Sequence, residues 1–105
     1  MIIRSAVLEG DVPEAHRSCF DRQMVETVIP AIRRYPGIRD VSLRWRAEQE
    51  EGAPNVYLTT DLVFDSLEAM HAALASDIRQ EVRAKLSSIM SVFEGRVYHL
   101  ILRRD

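Results

Sequence analysis

Cysteine is almost missing from this chain. Cys19 is the only one, which excludes a disulfide framework and any cysteine-built zinc cage. No apolar run approaches the ~20 residues needed to span a bilayer. Met1–Gly10 also lacks the basic start, apolar stretch and cleavage site of a secretory leader. An excess of positive charge is absent too: 14 basic against 16 acidic residues leave a net charge of −2, without the electrostatic footprint of a nucleic-acid binder. There are four glycines and no glycine-rich phosphate loop, no Gly-x-Ser-x-Gly and no nucleotide fingerprint. What is there is 105 residues, 47% hydrophobic and 29% charged, too apolar for disorder. That length predicts one domain over residues 1–105, burying roughly 65% of its unfolded surface. The expectation is a soluble, cytoplasmic, globular protein.

The hydrophobic spacing divides the chain. Ile2–Leu8 is short and β-branched and ends at Glu9-Gly10-Asp11, so it reads as a strand closed by a turn. Asp11 and Glu14 have capping-box spacing, which starts a helix near Pro13. Phe20, Met24, Val28, Ile32 and Tyr35 then form its apolar stripe. Pro30 cannot donate to the Glu26 carbonyl, so a kink is expected there, and Pro36-Gly37 stops the helix. Ile38–Ala47 alternates as a strand. Glu48–Pro54 is an acidic loop, and Asn55–Phe64 is the antiparallel partner strand. Asp65 with Glu68, and Asp77 with Gln80, repeat the capping box, which predicts two helices or one broken near Ser76. After Gly95, Arg96–Arg103 is a last strand, apolar on both sides.

This β-α-β-β-α-β order is the ferredoxin-like arrangement, an α+β fold with a four-stranded antiparallel sheet and its helices on one face. The second sheet face then carries Val63, Val97, Ile101 and Tyr57. An exposed apolar face of that kind predicts a homodimer that pairs sheet to sheet.

Several segments carry a resemblance. Phe20, Pro30 and Tyr35-Pro36-Gly37-Ile38, then Leu62–Met70, Ala72–Ser76 and Phe93–Val97, follow one another in the order and spacing of the EthD-like proteins of the dimeric α/β-barrel superfamily. The chain resembles that family over nearly its whole length. The resemblance implies two ferredoxin-like subunits whose sheets close a barrel, with small ligands in the clefts between sheet and helices. It also implies a choice among cofactor-free isomerases and polyketide cyclases, small monooxygenases, and proteins known only from catabolic clusters. Many EthD-like sequences place a His two residues before the helix-one proline. Here that residue is Val28.

Alternation also nominates a site. With Leu100 and Leu102 taken toward the helices, His99 faces the other side, together with Arg44, Tyr57, Thr59 and Asp61. On that reading His99 and Asp61 are a catalytic acid–base pair. Arg44 holds an anionic or enolate oxygen, and Tyr57 and Thr59 contact the ligand. The plainer alternative is that these groups pair across the dimer interface and fix its register. His16 and His71 read as surface residues, Cys19 as a packing residue, and Trp45 as core with its indole N–H near an edge. No His-x-His or His-x-Glu occurs on one element and the three His are dispersed in sequence, so no metal is expected. The first strand offers no Asn for the Asn, Trp and His set of a haem-degrading monooxygenase, and no cofactor is expected. Two functions stay open. One is a cofactor-independent isomerase, cyclase or lactone-processing enzyme acting on a small apolar or aromatic metabolite. The other is a non-catalytic accessory or ligand carrier that supports a partner oxidoreductase.

Overall fold

The computed structural model describes residues 1–105. β-Branched Ile2, Ile3 and Val7 favour extended backbone, and β1 runs Ile2–Asp11. It is longer than the turn signal implied, because Glu9, Gly10 and Asp11 stay paired with Arg96, Gly95 and Glu94. After it come α1 (Glu14–Gln23), a π turn (Met24–Val28), α2 (Ile29–Ile32), β2 (Ile38–Trp45) and β3 (Val56–Phe64). Then follow α3 (Leu67–Leu74), α4 (Ile78–Ile89), a 3₁₀ turn (Met90–Val92) and β4 (Glu94–Arg103). The sheet order is β2-β3-β1-β4 with every neighbouring pair antiparallel, which is the expected ferredoxin-like architecture.

Local chemistry explains the joints. Pro30 has no N–H for the Glu26 carbonyl, and the helix absorbs the defect just ahead of it. The π turn widens the coil, and the Ile29 N–H reaches back to the Met24 carbonyl. The capping boxes form differently from their spacing. Pro13 stands at the start of α1 with no side-chain cap, while Asp11 accepts from the Val12 N–H at 2.9 Å. At α3 the cap is Ser66, whose Oγ accepts from the Ala69 N–H at 3.1 Å. Asp65 is drawn aside into a two-bonded ion pair with Arg39. α3 and α4 are separate helices, and the Ser76 hydroxyl between them donates to the Ala73 carbonyl at 2.6 Å.

Cross-strand register assigns the sheet faces. Leu8 lies opposite both Leu58 and Val97, Ala6 opposite Thr60 and His99, and Arg4 opposite Leu62 and Ile101. These residues face the helices, where Leu8, Leu58, Leu62 and Phe64 close on Phe20, Met24, Val28, Tyr35, Met70 and Val82 to form the core. The other face carries Ile3, Ser5, Val7, Asp61, Val63, Leu100 and Leu102. The orientation expected of β4 is therefore reversed: Val97, His99 and Ile101 point to the helix side, and Leu100 and Leu102 point away. β4 is apolar on both sides, so alternation alone does not orient it. The second face is nonetheless apolar: Val63 is on it as expected, while Leu100 and Leu102 stand there instead of Val97 and Ile101.

Between the Leu8–Leu58 and Glu9–Val56 pairs, β3 carries one extra residue, Tyr57. This bulge turns the Tyr57 ring toward α1, edge-on to Phe20 at 5.6 Å. At the far end Gly10 and Gly95 face each other with φ of +146° and +154°. A Cβ on either would lie 2.1 Å from the other strand's backbone oxygen, so only glycine fits this approach.

Candidate functional site

Between the sheet and the helices lies an apolar cleft of about 140 Å³. Its floor is β1, β3 and β4, and small residues make the room: Ala6 and Thr60 stand where larger side chains would fill it. Its walls are Met24 and Val28 of the π turn, Ile32 and Tyr35 after it, and Val82, Leu86 and Met90 on the opposite side. Eleven of the fourteen lining residues are hydrophobic. Helical spacing puts Val82, Leu86 and Met90 on one stripe, as it does Met24, Val28, Ile32 and Tyr35. A larger depression of about 460 Å³ beside Glu48–Pro54 is shallow and open, and most of its lining residues are polar.

Polar groups in the cleft are few and one-signed. His99 stands at the rim, with one side to solvent and the other against the apolar lining. Partial burial, then the charges of Arg4 and Arg79, hold its imidazole pKa below the usual histidine value, so the ring is neutral at pH 7. Arg4 reaches in from β1, half-buried. Its guanidinium pKa is lowered by desolvation and by Arg79 and Arg83, yet it stays charged. Burial raises the Tyr35 phenol, opposed by the positive charges of Arg79, Arg4 and Arg83. A neutral imidazole can accept a proton, and a phenol can donate a hydrogen bond in such surroundings.

The residues nominated from sequence are parted by the structure. His99 faces the cleft. Asp61 lies on the opposite sheet face, where the Ser5 hydroxyl donates to one of its oxygens at 2.6 Å and Arg44 donates to the other at 2.7 Å. Thr59 pairs in register with Arg44 on that face. Tyr57 leaves the group altogether through the bulge and donates to Asp21 of α1 at 2.6 Å. That bond, following desolvation as the larger cause, raises its pKa above the ordinary tyrosine value. His99 and Asp61 are therefore not an acid–base pair within one chain, because the reversed β4 separates them by the thickness of the sheet. Trp45 keeps its helix-side register but sits exposed at the end of β2, edge-on to Tyr57 at 6.2 Å.

Arg4, Arg79 and Arg83 are not among the residues nominated from sequence, and Tyr35 is read there only as part of the helix stripe. One signal was present: in Ile2–Leu8 a charged residue, Arg4, occupies the parity of the inward-facing Ile2, Ala6 and Leu8. Val28, the position at which many EthD-like sequences carry a His, is fully buried in the cleft wall. No group of three or more His, Cys, Asp and Glu side chains is placed to hold a metal ion. No helix is long and apolar enough to cross a membrane.

No protein-family model matches the chain, and no curated protein matches it. Solved structures do. An EthD family protein from Bacillus halodurans superposes over 100% of both chains with a TM-score of 0.75 at 20% identity. A monooxygenase of Streptomyces coelicolor, solved in complex with nanaomycin D, matches 99% of this chain and 87% of its own with a TM-score of 0.70 at 17% identity. A dimeric protein of unknown function and ferredoxin-like fold from Bacteroides fragilis matches 98% of this chain and 96% of its own, with a TM-score of 0.67 at 13% identity. The chain therefore has the fold of EthD and monooxygenase-type ferredoxin-like proteins.

Proposed function

We propose that this protein binds a small apolar or aromatic metabolite in the sheet–helix cleft and moves a proton on it with His99, as a cofactor-independent isomerase or cyclase. The observation that carries this reading is the apolar cleft of about 140 Å³ with the His99 imidazole at its rim. A cavity of ~150 Å³ lined by apolar side chains accepts a single benzene ring, so one six-membered ring fits without rearrangement. Packing alone would favour filling such a space. The floor residues Ala6 and Thr60 leave it open.

The test has two stages. Thermal-shift and native mass-spectrometry screening with small aromatic and terpenoid ligands should find stabilisers, and Val28→Trp, which fills the cleft, should abolish their effect. An enolisable cyclic ketone bound in D2O should then exchange a C–H for deuterium with wild type and not with His99→Gln. Binding without exchange supports the second reading, a non-catalytic carrier or accessory protein. That reading is favoured by the lack of any carboxylate orienting His99, since Asp61 is engaged with Ser5 and Arg44 on the other face.

The assembly belongs to the same proposal. Leu100 and Leu102 are exposed on the sheet face that the helices leave bare, next to Ile3, Val7 and Val63. Two copies paired through this face would cover it, and the ferredoxin-like structure from Bacteroides fragilis is described as dimeric. In such a pair the Ser5–Asp61–Arg44 chain lies at the interface, and the two clefts open on the outside.

A further inference from the structure

We infer that the cleft's ligand is an organic acid: its ring occupies the apolar cavity and its carboxylate is held at the mouth by Arg4, with Arg79 and Arg83 beside it. This rests on the cleft reading above and adds the charge and orientation of the ligand.

The protein has seven ion pairs, which engage Arg17, Arg34, Arg39, Arg44, Arg46, Arg96 and Arg103. Arg4, Arg79 and Arg83 are in none of them. Arg22, Arg33, Lys85 and Arg104 are outside them too, but of all these Arg4 alone lines the cleft, half-buried on the helix side of β1. Arg79 and Arg83 are one turn apart on α4 and flank Val82, which also lines the cleft. Both are close enough to Arg4 for their charges to disfavour its protonated form.

A purely structural explanation fits poorly. Unpaired like charges brought together beside apolar surface oppose folding, and methionine or glutamine at position 4 would pack there without that cost. No carboxylate of the chain is placed to offset it, although Asp and Glu number 16. The set therefore has its charges balanced only when an anion arrives. A guanidinium offers the forked donors that match a carboxylate. Tyr35, buried against the same charges, can add a hydroxyl donor. His99 is diagonal to Arg4 on the same face of the β1–β4 pair, since Ile101 is opposite Arg4 and His99 opposite Ala6, so an acid anchored at Arg4 would bring the atoms next to its ring toward the imidazole.

The test compares three probes of one shape: benzoate, benzyl alcohol and benzylamine, titrated at low salt into the full-length protein with methyl NMR following Met24, Val28 and Leu86. Wild type should bind benzoate at least about ten times more tightly than benzyl alcohol, since a hydrogen bond to a charged group contributes ~1.5–3 kcal/mol, and should bind benzylamine least. Arg4→Met should erase the benzoate preference while benzyl alcohol binds as before. Raised salt should narrow the preference, and bound benzoate should raise the NMR-titrated pKa of His99 by relieving the positive field. Equal affinity for benzoate and benzyl alcohol, or a preference that survives Arg4→Met, overturns the acid subsite and leaves the apolar cleft standing. If no probe shifts the cleft methyls, the cleft reading fails and this inference falls with it.

Discussion

Replacing Leu100 and Leu102 together by lysine addresses the half of the sheet that the helices do not cover. The two side chains are 42% and 49% exposed and protrude from the same face of β4. Covering the exposed half of a leucine is worth ~1 kcal/mol, so the four leucines of a two-fold interface contribute ~4 kcal/mol. Removing them weakens self-association by about a thousandfold. Four lysines brought face to face oppose it further. Because neither leucine belongs to the core, the fold should hold, with urea stability within ~0.5 kcal/mol of wild type. Sedimentation equilibrium across a wide concentration range is the assay. Wild type should show twice the 12.0 kDa of one chain, and the double variant should show one chain at the same concentrations. Ile101→Lys, on the helix side of the same strand, should leave association unchanged. A double variant that associates as wild type does, or a wild type that stays a single chain at every concentration, would exclude this face as the interface.

Other expectations follow from single contacts. Gly10→Ala and Gly95→Ala each drive a Cβ to 2.1 Å from a backbone oxygen of the paired strand and should cost ~2–3 kcal/mol in urea unfolding. Gly52→Ala meets no neighbour within 4 Å and should cost only ~1 kcal/mol, from its positive φ. Tyr57→Phe removes the 2.6 Å bond to Asp21 and should lower stability by ~1.5 kcal/mol. Its melting temperature should also decline less steeply than wild type's above pH 10, where an unfolded tyrosine ionises and the folded Tyr57, with its raised pKa, does not; Tyr35, raised by burial, keeps the rest of that slope. For His99 the sign is opposite. Its folded pKa lies below the unfolded value, so the unfolded chain binds more protons between the two. Wild type should therefore lose stability as pH falls through 6.5 and below, and His99→Gln should flatten that slope.

Architecture was largely legible in the residues, because strands and helices differ in hydrophobic period and the turns carry Pro and Gly. The stripe Phe20–Met24–Val28–Ile32–Tyr35 packs as its spacing indicates. The site was not legible, for two identifiable reasons. β4 is apolar on both sides and lies at the sheet edge, where the helices cover it incompletely, so its orientation depends on pairing register rather than pattern. A bulge at Tyr57 then moved one residue out of the alternation on which the grouping depended. The caps shifted for a related reason: Asp65 had a stronger partner in Arg39 than its own helix offered, and Ser66 took the capping role. Arg4 was visible all along as a charge at an inward position, and only the structure shows that nothing in the chain neutralises it.

The claim on which the rest depends is that ligand enters between sheet and helices. A methyl-NMR titration of wild type with benzyl alcohol tests it most directly. Saturable shifts are expected at Met24, Val28, Val82, Leu86 and Met90, with Leu100, Leu102 and Val63 unmoved. Shifts confined to Leu100, Leu102 and Val63 would put the ligand on the sheet face instead and contradict that claim.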